Sequence, residues 1–525
     1  MASKKFICCM TTTVLLAVIF VVIGIVVLVL LPSVIHKIVD EQVPLLDGNL
    51  ATPIWKTPPF PIRMQFWIYN TTNPFEVMYS GAYPQLVEVG PFSFSEVQNK
   101  TNVTWSKDQH TVVYLNQKYY YFLANESCGL CDLDFAHFIV PNIPYWTVVN
   151  TLRSRQIPGM EPLSLLINAF LGESPFTIQK VSARGLLFEG YQDTVFSLLT
   201  DLMKAFPDMP NIPGLSDRMG VFYGRNGTDD GVYNISTGLD DTSSMGDIYM
   251  WRGNESLDLW STDQANMING SDGTLYPPFV ETTDRLYLFV SDICRSVYLE
   301  YSGKDETIKR VPANIFDIPA RVFATTAPEN LGFCYASEHH FFAAGCNASE
   351  RAVWEPCQPD GFLWVGAAPN GLDQQCQSDP TEGWKLAPIV MSSPHFLYTP
   401  DCVRRQVSIA PTPAPDSDYM ATVTIEPTTG VGIAFNRRLQ INVAMFPYEG
   451  LQETTKINPM FAPLLWLNES ASLDDDTADM LYKQVVLPQK GAFGGAIALI
   501  VLGGILVIVF AGVLLSRRYR VVSLL

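Results

Sequence analysis

The chain has 525 residues, 48% of them hydrophobic, with 34 Lys and Arg set against 52 Asp and Glu for a formal net charge of −18. That balance excludes a basic nucleic-acid-binding face and long-range attraction to anionic headgroups. The length is ample for a large buried core.

Residues 1–5 carry Lys4 and Lys5, and no charge follows from Phe6 to Leu31. A secretory signal has an apolar stretch of roughly 7–15 residues before a small-residue cleavage site, whereas a membrane span needs about 20. Pro32, Ser33, Val34 and Ile35 offer no such site. Residues 6–31 are therefore expected to be a retained transmembrane helix. Cys8 and Cys9 stand at its start, positioned for palmitoylation or simply as small apolar residues opening a helix.

Residues 32–490 read as one ectodomain. Asn70, Asn99, Asn102, Asn125, Asn226, Asn234, Asn254, Asn269, Asn347 and Asn468 all stand in N-x-Ser/Thr context there, and eight of the ten cysteines share the segment. Glycosylation and an oxidising compartment are both expected.

Within it, "CGLC" at Cys128–Cys131 has redox spacing but no helical face behind it, so a tight structural bridge is expected. Between about 141 and 206 the apolar period lengthens: Leu163, Leu166, Ile167, Phe170 and Leu171 fall at helical spacing, as do Val195, Leu198, Leu199, Leu202 and Phe206. A helical cap on a β-rich body follows. "NGTDDG" from Asn226 lacks the twelfth-position Glu of a calcium loop and reads as a turn.

"HTVVYLNQKYYYFL" and "DRLYLFVSDICRSVYLEY" are strand-like. Glu338, His339 and His340 are adjacent, and on a strand they would point to opposite faces instead of converging. From Tyr419 a hairpin is expected, with Ala421, Val423 and Ile425, then Leu439, Ile441 and Val443, on the dry face, and Gln440 and Asn442 on the wet one. "LDDDTAD" reads as an acidic helix N-cap and first turn.

Gly491 to Ser516 is a second uncharged run, followed by Arg517, Arg518 and Arg520 in the tail 517–525. Basic flanks are retained on the cytosolic side, so both tails are expected there. With five bases and no acid in the tails, the rest of the chain carries −23. Gly491 and Gly495 stand at the small-xxx-small spacing that favours helix association, and an oligomer would follow if they pair between chains. No nucleophile elbow, zinc-protease or P-loop motif occurs. No enzyme, cofactor or metal is expected.

Several stretches, in order, carry a resemblance: "QFWIYNTTNPFEV" from Gln65, "VGPFSF" from Val89, "NMINGSDGTLYPPF" from Asn266, "SDICRS" from Ser291, "SSPHFLY" from Ser392, "IEPTTG" from Ile425 and "PLLWLNES" from Pro463. Through them the chain resembles the class B scavenger receptor family. The resemblance implies a mainly β fold with α: an antiparallel β-barrel ectodomain with an apical helical bundle (141–206) and an internal apolar tunnel, between two transmembrane helices. It also implies the bridges Cys294–Cys357 and Cys334–Cys346, leaving Cys376 with Cys402 and Cys128 with Cys131. A further bridge of some members would fall at Ala265 and Gly332.

The implied ligands are fatty acid, sterol, phospholipid or lipoprotein, passed through the tunnel toward the bilayer. Burying each methylene contributes roughly 0.8 kcal/mol, so transfer down a gradient needs no catalytic group. The apex departs from members that carry lysines in the apical helix, reading Glu173 with no Lys before Lys180. Apolar contact through Leu166, Phe170, Leu171 and Phe176 is expected there, or else these residues pack the bundle. The alternative is a lysosomal sorting receptor binding a lumenal hydrolase at the apex. The tail leaves plasma and endolysosomal membrane open: Leu524 and Leu525 have Arg520, not an acid, ahead of them, and Tyr519–Val522 lies close to the bilayer.

Overall fold

The computed structural model describes residues 2–49, 51–155, 177–195, 197, 201, 204, 218–334, 345–365, 388–411 and 416–522. Its ends are two long helices, Ala2–Gln42 and Leu487–Val522, both long and apolar enough to cross a membrane. Exposed side chains such as Val29 and Ile508 cover their outer faces.

The two helices meet through small residues seven apart on each. A Cβ on Gly24 would stand 2.6 Å from Ile500 Cγ1 and 2.7 Å from the Ala496 carbonyl; one on Gly503 would stand 2.6 Å from Val21 Cγ2 and 2.7 Å from the Ala17 carbonyl. Ala17 and Ala496 are correspondingly buried. Such close backbone approach is what small residues permit where lipid gives no hydrophobic drive. The expected pair Gly491 and Gly495 is not at this contact, since nothing lies within 4 Å of a Cβ on either.

Between the helices runs one 14-stranded sheet. Its main path is Leu286–Val290, Arg295–Ile308, Val311–Asp317, Thr422–Ile425, Gly432–Met445, Met460–Ser472, Ile62–Thr71, Gln85–Trp105, Thr111–Phe122, Thr228–Ser236 and Ile248–Trp251. All neighbours on this path are antiparallel, and one parallel pairing joins Ser408–Ala410 to Gln85–Val87. The first and last strands of the ectodomain, Ile62–Thr71 and Met460–Ser472, pair at the sheet's centre, Arg63 opposite Ser470 and Ile68 opposite Leu465.

The sheet is open, not the closed barrel expected. No ladder joins the edge strands Leu286–Val290 and Ile248–Trp251. Among the described residues Gly270 and Ser271 bridge them, Ile248 N donating to Gly270 O at 2.9 Å and Phe289 N to Ser271 O at 2.8 Å. Inward residues build an aromatic core: Phe66, fully buried, meets Phe94 at 5.7 Å and Phe222 at 5.3 Å between ring centroids. Burying one such ring contributes roughly 1.5–3 kcal/mol.

In the expected apical block, the described residues include a helix, Ile143–Arg155, a strand, Ile178–Ser182, that pairs with His137–Pro141, a short helical turn, Gly185–Glu189, and a short strand, Tyr191–Gln192. The acidic N-cap is present: Asp474 accepts from Thr477 N at 2.7 Å, and the helix Asp475–Leu481 follows.

The hairpin's wet face is a correction. Gln440 and Asn442 are fully buried: Ile389–Ser392 pairs alongside this part of Gly432–Met445, and Tyr69 and the turn at His395 lie against Gln440. Their amides are satisfied internally. Gln440 Oε1 accepts from Tyr69 Oη and His395 N, and Asn442 Nδ2 donates to Val390 O and Ser392 Oγ.

Three expected bridges, Cys294–Cys357, Cys334–Cys346 and Cys376–Cys402, are also corrected. Cys334 joins Cys357 and Cys346 joins Cys402, with Cα separations of 5.0 Å in each, while Cys128 joins Cys131. The segments around Cys334 and Cys357 are held together by Gln358 Nε2, which donates to Phe333 O at 3.3 Å. Gly345 packs on the Cys402 carbonyl, placing Cys346 beside Cys402. Cys294 is disulfide-bonded, but not to Cys357; Cys376 lies outside the described residues. Ala265 and Gly332 do face each other, a Cβ on Gly332 falling 2.5 Å from that of Ala265.

Two outcomes follow. Gly503→Leu is expected to cost about 1–3 kcal/mol of stability by overpacking, seen as a lower unfolding temperature in detergent. Gly504→Leu, with nothing within 4 Å, leaves it unchanged or slightly raised. Among the acceptor asparagines, Asn102, Asn125, Asn226, Asn254 and Asn347 are exposed, whereas Asn468 sits inside Met460–Ser472 at 9% exposure. Asn468→Gln should therefore leave electrophoretic mobility unaltered, while Asn102→Gln raises it by one glycan.

Candidate functional site

Where the terminal helices reach the ectodomain, a cavity of about 300 Å³ lies between them. Its walls follow from helix geometry. On the first helix Leu31, Ile35, Ile38 and Gln42 fall at i, i+4, i+7 and i+11, one face. Leu481, Val485, Pro488 and Ala492 repeat those intervals on the other side. Leu275 and Val431 of the ectodomain close the roof, and no ionisable residue lines the space among the described residues. The volume lies at the lower end of the range usual for small-molecule sites.

A second cavity, about 130 Å³, lies under the helix Ile143–Arg155. Met64, Ile143, Phe222, Leu439, Ile441 and Leu467 make it apolar on one side. The other side is charged. Lys118 Nζ lies 3.7 Å from Glu96 Oε1, and Arg437 Nη1 lies 2.9 Å from Glu469 Oε2. Gln98 Nε2 bridges the two acids, donating to Glu96 Oε1 at 2.8 Å and Glu469 Oε1 at 3.3 Å. Asp292 accepts from Arg225 at 3.1 Å, and Asp230 accepts from Tyr233 Oη and Ser291 Oγ, each at 2.8 Å.

Burial and the neighbouring Glu469 charge push the Glu96 carboxyl up to about 7, against the opposing pull of Lys118. Burial disfavours the Lys118 ammonium, but Glu96 and the other surrounding negative groups outweigh it and hold Lys118 above its ordinary range. Glu469 likewise raises Arg437, and burial raises Asp230. The cluster can hold or release a proton near neutrality at Glu96.

The expected apical contacts Leu166, Phe170, Leu171 and Phe176 lie outside the described residues, as do Glu338, His339 and His340. Only Asn226 and Gly227 of "NGTDDG" form the expected turn; Thr228 to Gly231 already belong to the strand Thr228–Ser236, and Asp230 is recruited into the charged cluster. Sequence reasoning did not bring Glu96, Lys118, Asp292, Arg437 and Glu469 together. One signal was present: Glu96, Gln98 and Lys100 alternate along Gln85–Trp105 and are all buried, a polar row on an inward face. Lys100 in turn pairs with Asp272 at 2.6 Å.

The sign of the Glu96 effect is fixed. Its carboxyl binds a proton more tightly folded than unfolded, so its contribution is greatest below about pH 4.5 and falls as pH rises toward 7. Relative to Glu96→Gln, the wild-type chain is expected to lose on the order of 1–3 kcal/mol between pH 5 and 7.5, measured as paired denaturation curves at both pH values.

Sequence comparison with known proteins places the chain in a family. The sequence pattern of the CD36 family matches residues 14–514. Lysosome membrane protein 2 of Mus musculus is 33% identical over 460 residues, covering 87% of this chain and 85% of that protein. The same protein of Homo sapiens is 32% identical over 464 residues, covering 87% and 86%. Scavenger receptor class B member 1 of Sus scrofa is 28% identical over 493 residues, covering 93% and 85%. A family pattern running from one terminal helix into the other, over an open antiparallel sheet, makes this chain a member of the CD36 family of class B scavenger receptor-like membrane proteins.

Proposed function

We propose that the protein binds lipid or lipoprotein and passes lipid between its ectodomain and the bilayer, using the basal cavity as the port on the membrane side. The observation that carries this reading is the apolar, uncharged space between two helical rows that continue directly into the membrane spans. A hydrocarbon chain entering it exchanges one dry environment for another. Each methylene then avoids the roughly 0.8 kcal/mol that exposure to water would cost. The apical residues Leu166, Phe170, Leu171 and Phe176 are proposed to make the first apolar contact with the ligand.

A second reading, residence in the endolysosomal membrane as a sorting receptor, draws support from the higher identity to Lysosome membrane protein 2 than to Scavenger receptor class B member 1. Imaging a tagged chain against lysosomal and surface markers separates the two locations.

The lipid reading is tested at Ile38, which lines the cavity yet is 54% exposed, so a polar replacement should not unfold the chain. Ile38→Asp places a solvated carboxylate at the port and is expected to lower uptake of a fluorescent fatty acid by roughly tenfold, since a passing acyl chain would have to strip water from an unpaired charge. Wild-type uptake by a correctly delivered Ile38→Asp chain would remove the reading.

A further inference from the structure

A groove of about 940 Å³ opens over the seam where Gly270 and Ser271 stand between the two edge strands. It shares no lining residue with either apolar cavity. In a chain of net charge −18, it gathers Arg285, Arg295 and Arg321 against the acids Asp247 and Glu329.

Two of these arginines sit in ordinary exposed pairs. Arg285 Nε lies 2.8 Å from Glu300, and Arg321 reaches both oxygens of Glu329 at 2.5 and 3.0 Å. Exposed pairs of this kind are worth about 0–1 kcal/mol and yield readily to a competing anion.

Arg295 is different. It is 5% exposed, and among the described residues no carboxylate lies within ion-pair distance of it. Its Nη2 donates to Val322 O and Asn330 Oδ1, each at 2.8 Å, its guanidinium lies 3.7 Å from the Phe333 ring centre, and its Nε has no partner among the described residues. Burial pushes this guanidinium down to about 9. A structural role, pinning the turns Ala320–Phe323 and Pro328–Phe333 to the strand, accounts for the two hydrogen bonds but not for the charge, since a neutral amide could make them.

We propose that the groove binds a saccharide bearing sulfate or phosphate esters, with Arg295 and the rim residues Arg285 and Arg321 answering the oxyanion charge. The sugar ring has a place to lie: Tyr287 and Met267, 41% and 48% exposed, add flat apolar area beside the arginines.

Asn269 forms part of the wall and is itself an acceptor asparagine, so the test uses the full-length chain carrying Asn269→Gln in detergent. Calorimetric titration with sucrose octasulfate is expected to show saturable binding. Arg295→Gln and Arg285→Gln should each weaken it at least about tenfold, the loss of a charge-assisted hydrogen bond. Asp247→Asn should strengthen it. Lys304→Gln, exposed further along the same strand, should leave it unchanged. Arg285→Gln disturbs an exposed pair and the stacking of its half-exposed side chain on Tyr298, and keeps the test decisive should Arg295→Gln misfold. Inorganic sulfate competing at about a hundredfold higher concentration supports a saccharide carrier, and equal potency would overturn it in favour of a free anion. No saturable binding, or equal weakening by Lys304→Gln, would overturn the site.

Discussion

The pairing of Ile62–Thr71 with Met460–Ser472 is the constraint on which the rest of the structure depends. It joins segments about 400 residues apart, and closing a loop of that length costs about 5 kcal/mol in chain entropy on a simple logarithmic scaling. The two terminal helices offset part of that cost. With Ala17 against Gly503 and Gly24 against Ala496, both chain ends are already held side by side. The sheet and the helix pair therefore support one another. The basal cavity is the space left where the helical rows diverge from their close contact and meet Leu275 and Val431.

Register across the sheet is fixed as much by charge as by grease. Arg437 stands opposite Glu469 between Gly432–Met445 and Met460–Ser472, and Gln98 stands opposite Lys118 between Gln85–Trp105 and Thr111–Phe122. A slip of one residue would turn each partner to the other face and leave buried charges unpaired, which is far more costly than losing an apolar contact. Well-packed apolar residues could match the cluster in stability. What such residues would not supply is the same penalty against misregister, or a carboxyl poised near neutrality at Glu96.

Patterns confined to one segment were legible in the sequence. The membrane helices, the strands Thr111–Phe122 and Gly432–Met445, and the Asp474 cap each follow from spacing or residue type within a few turns. What depended on distant segments was not. Gln440 and Asn442 have the sequence of a wet face, and it is distant segments, Tyr69, the turn at His395 and the strand Ile389–Ser392, that bury them. The bridges at Cys334 and Cys346 turn on which loops pack together, information that cysteine spacing does not contain. Gly491 and Gly495 match a packing motif better than Gly24 and Gly503 do, yet antiparallel helices choose their contact by the height at which both chains leave the bilayer. The open seam at Gly270 was hidden for the same reason: an edge is a property of a finished sheet.

The two apolar cavities share no lining residue, and the upper one is walled on one side by Lys118, Asp230, Asp292, Arg437 and Glu469. A hydrocarbon chain moving toward that wall would meet charges already matched to one another, and displacing them would leave ions unpaired in a dry interior. The basal cavity has no such wall. Its helical rows run without interruption into the candidate spans, so under the proposed function an acyl chain exchanging with the bilayer there would disturb no ionic contact. Under the proposed function the two ends of the path therefore obey different physics. At the base, exchange is governed by apolar fit alone. Beneath the helix Ile143–Arg155 one wall is ionic, so an acyl chain there would have to pass Lys118, Arg437 and Glu469, charges already matched to their partners.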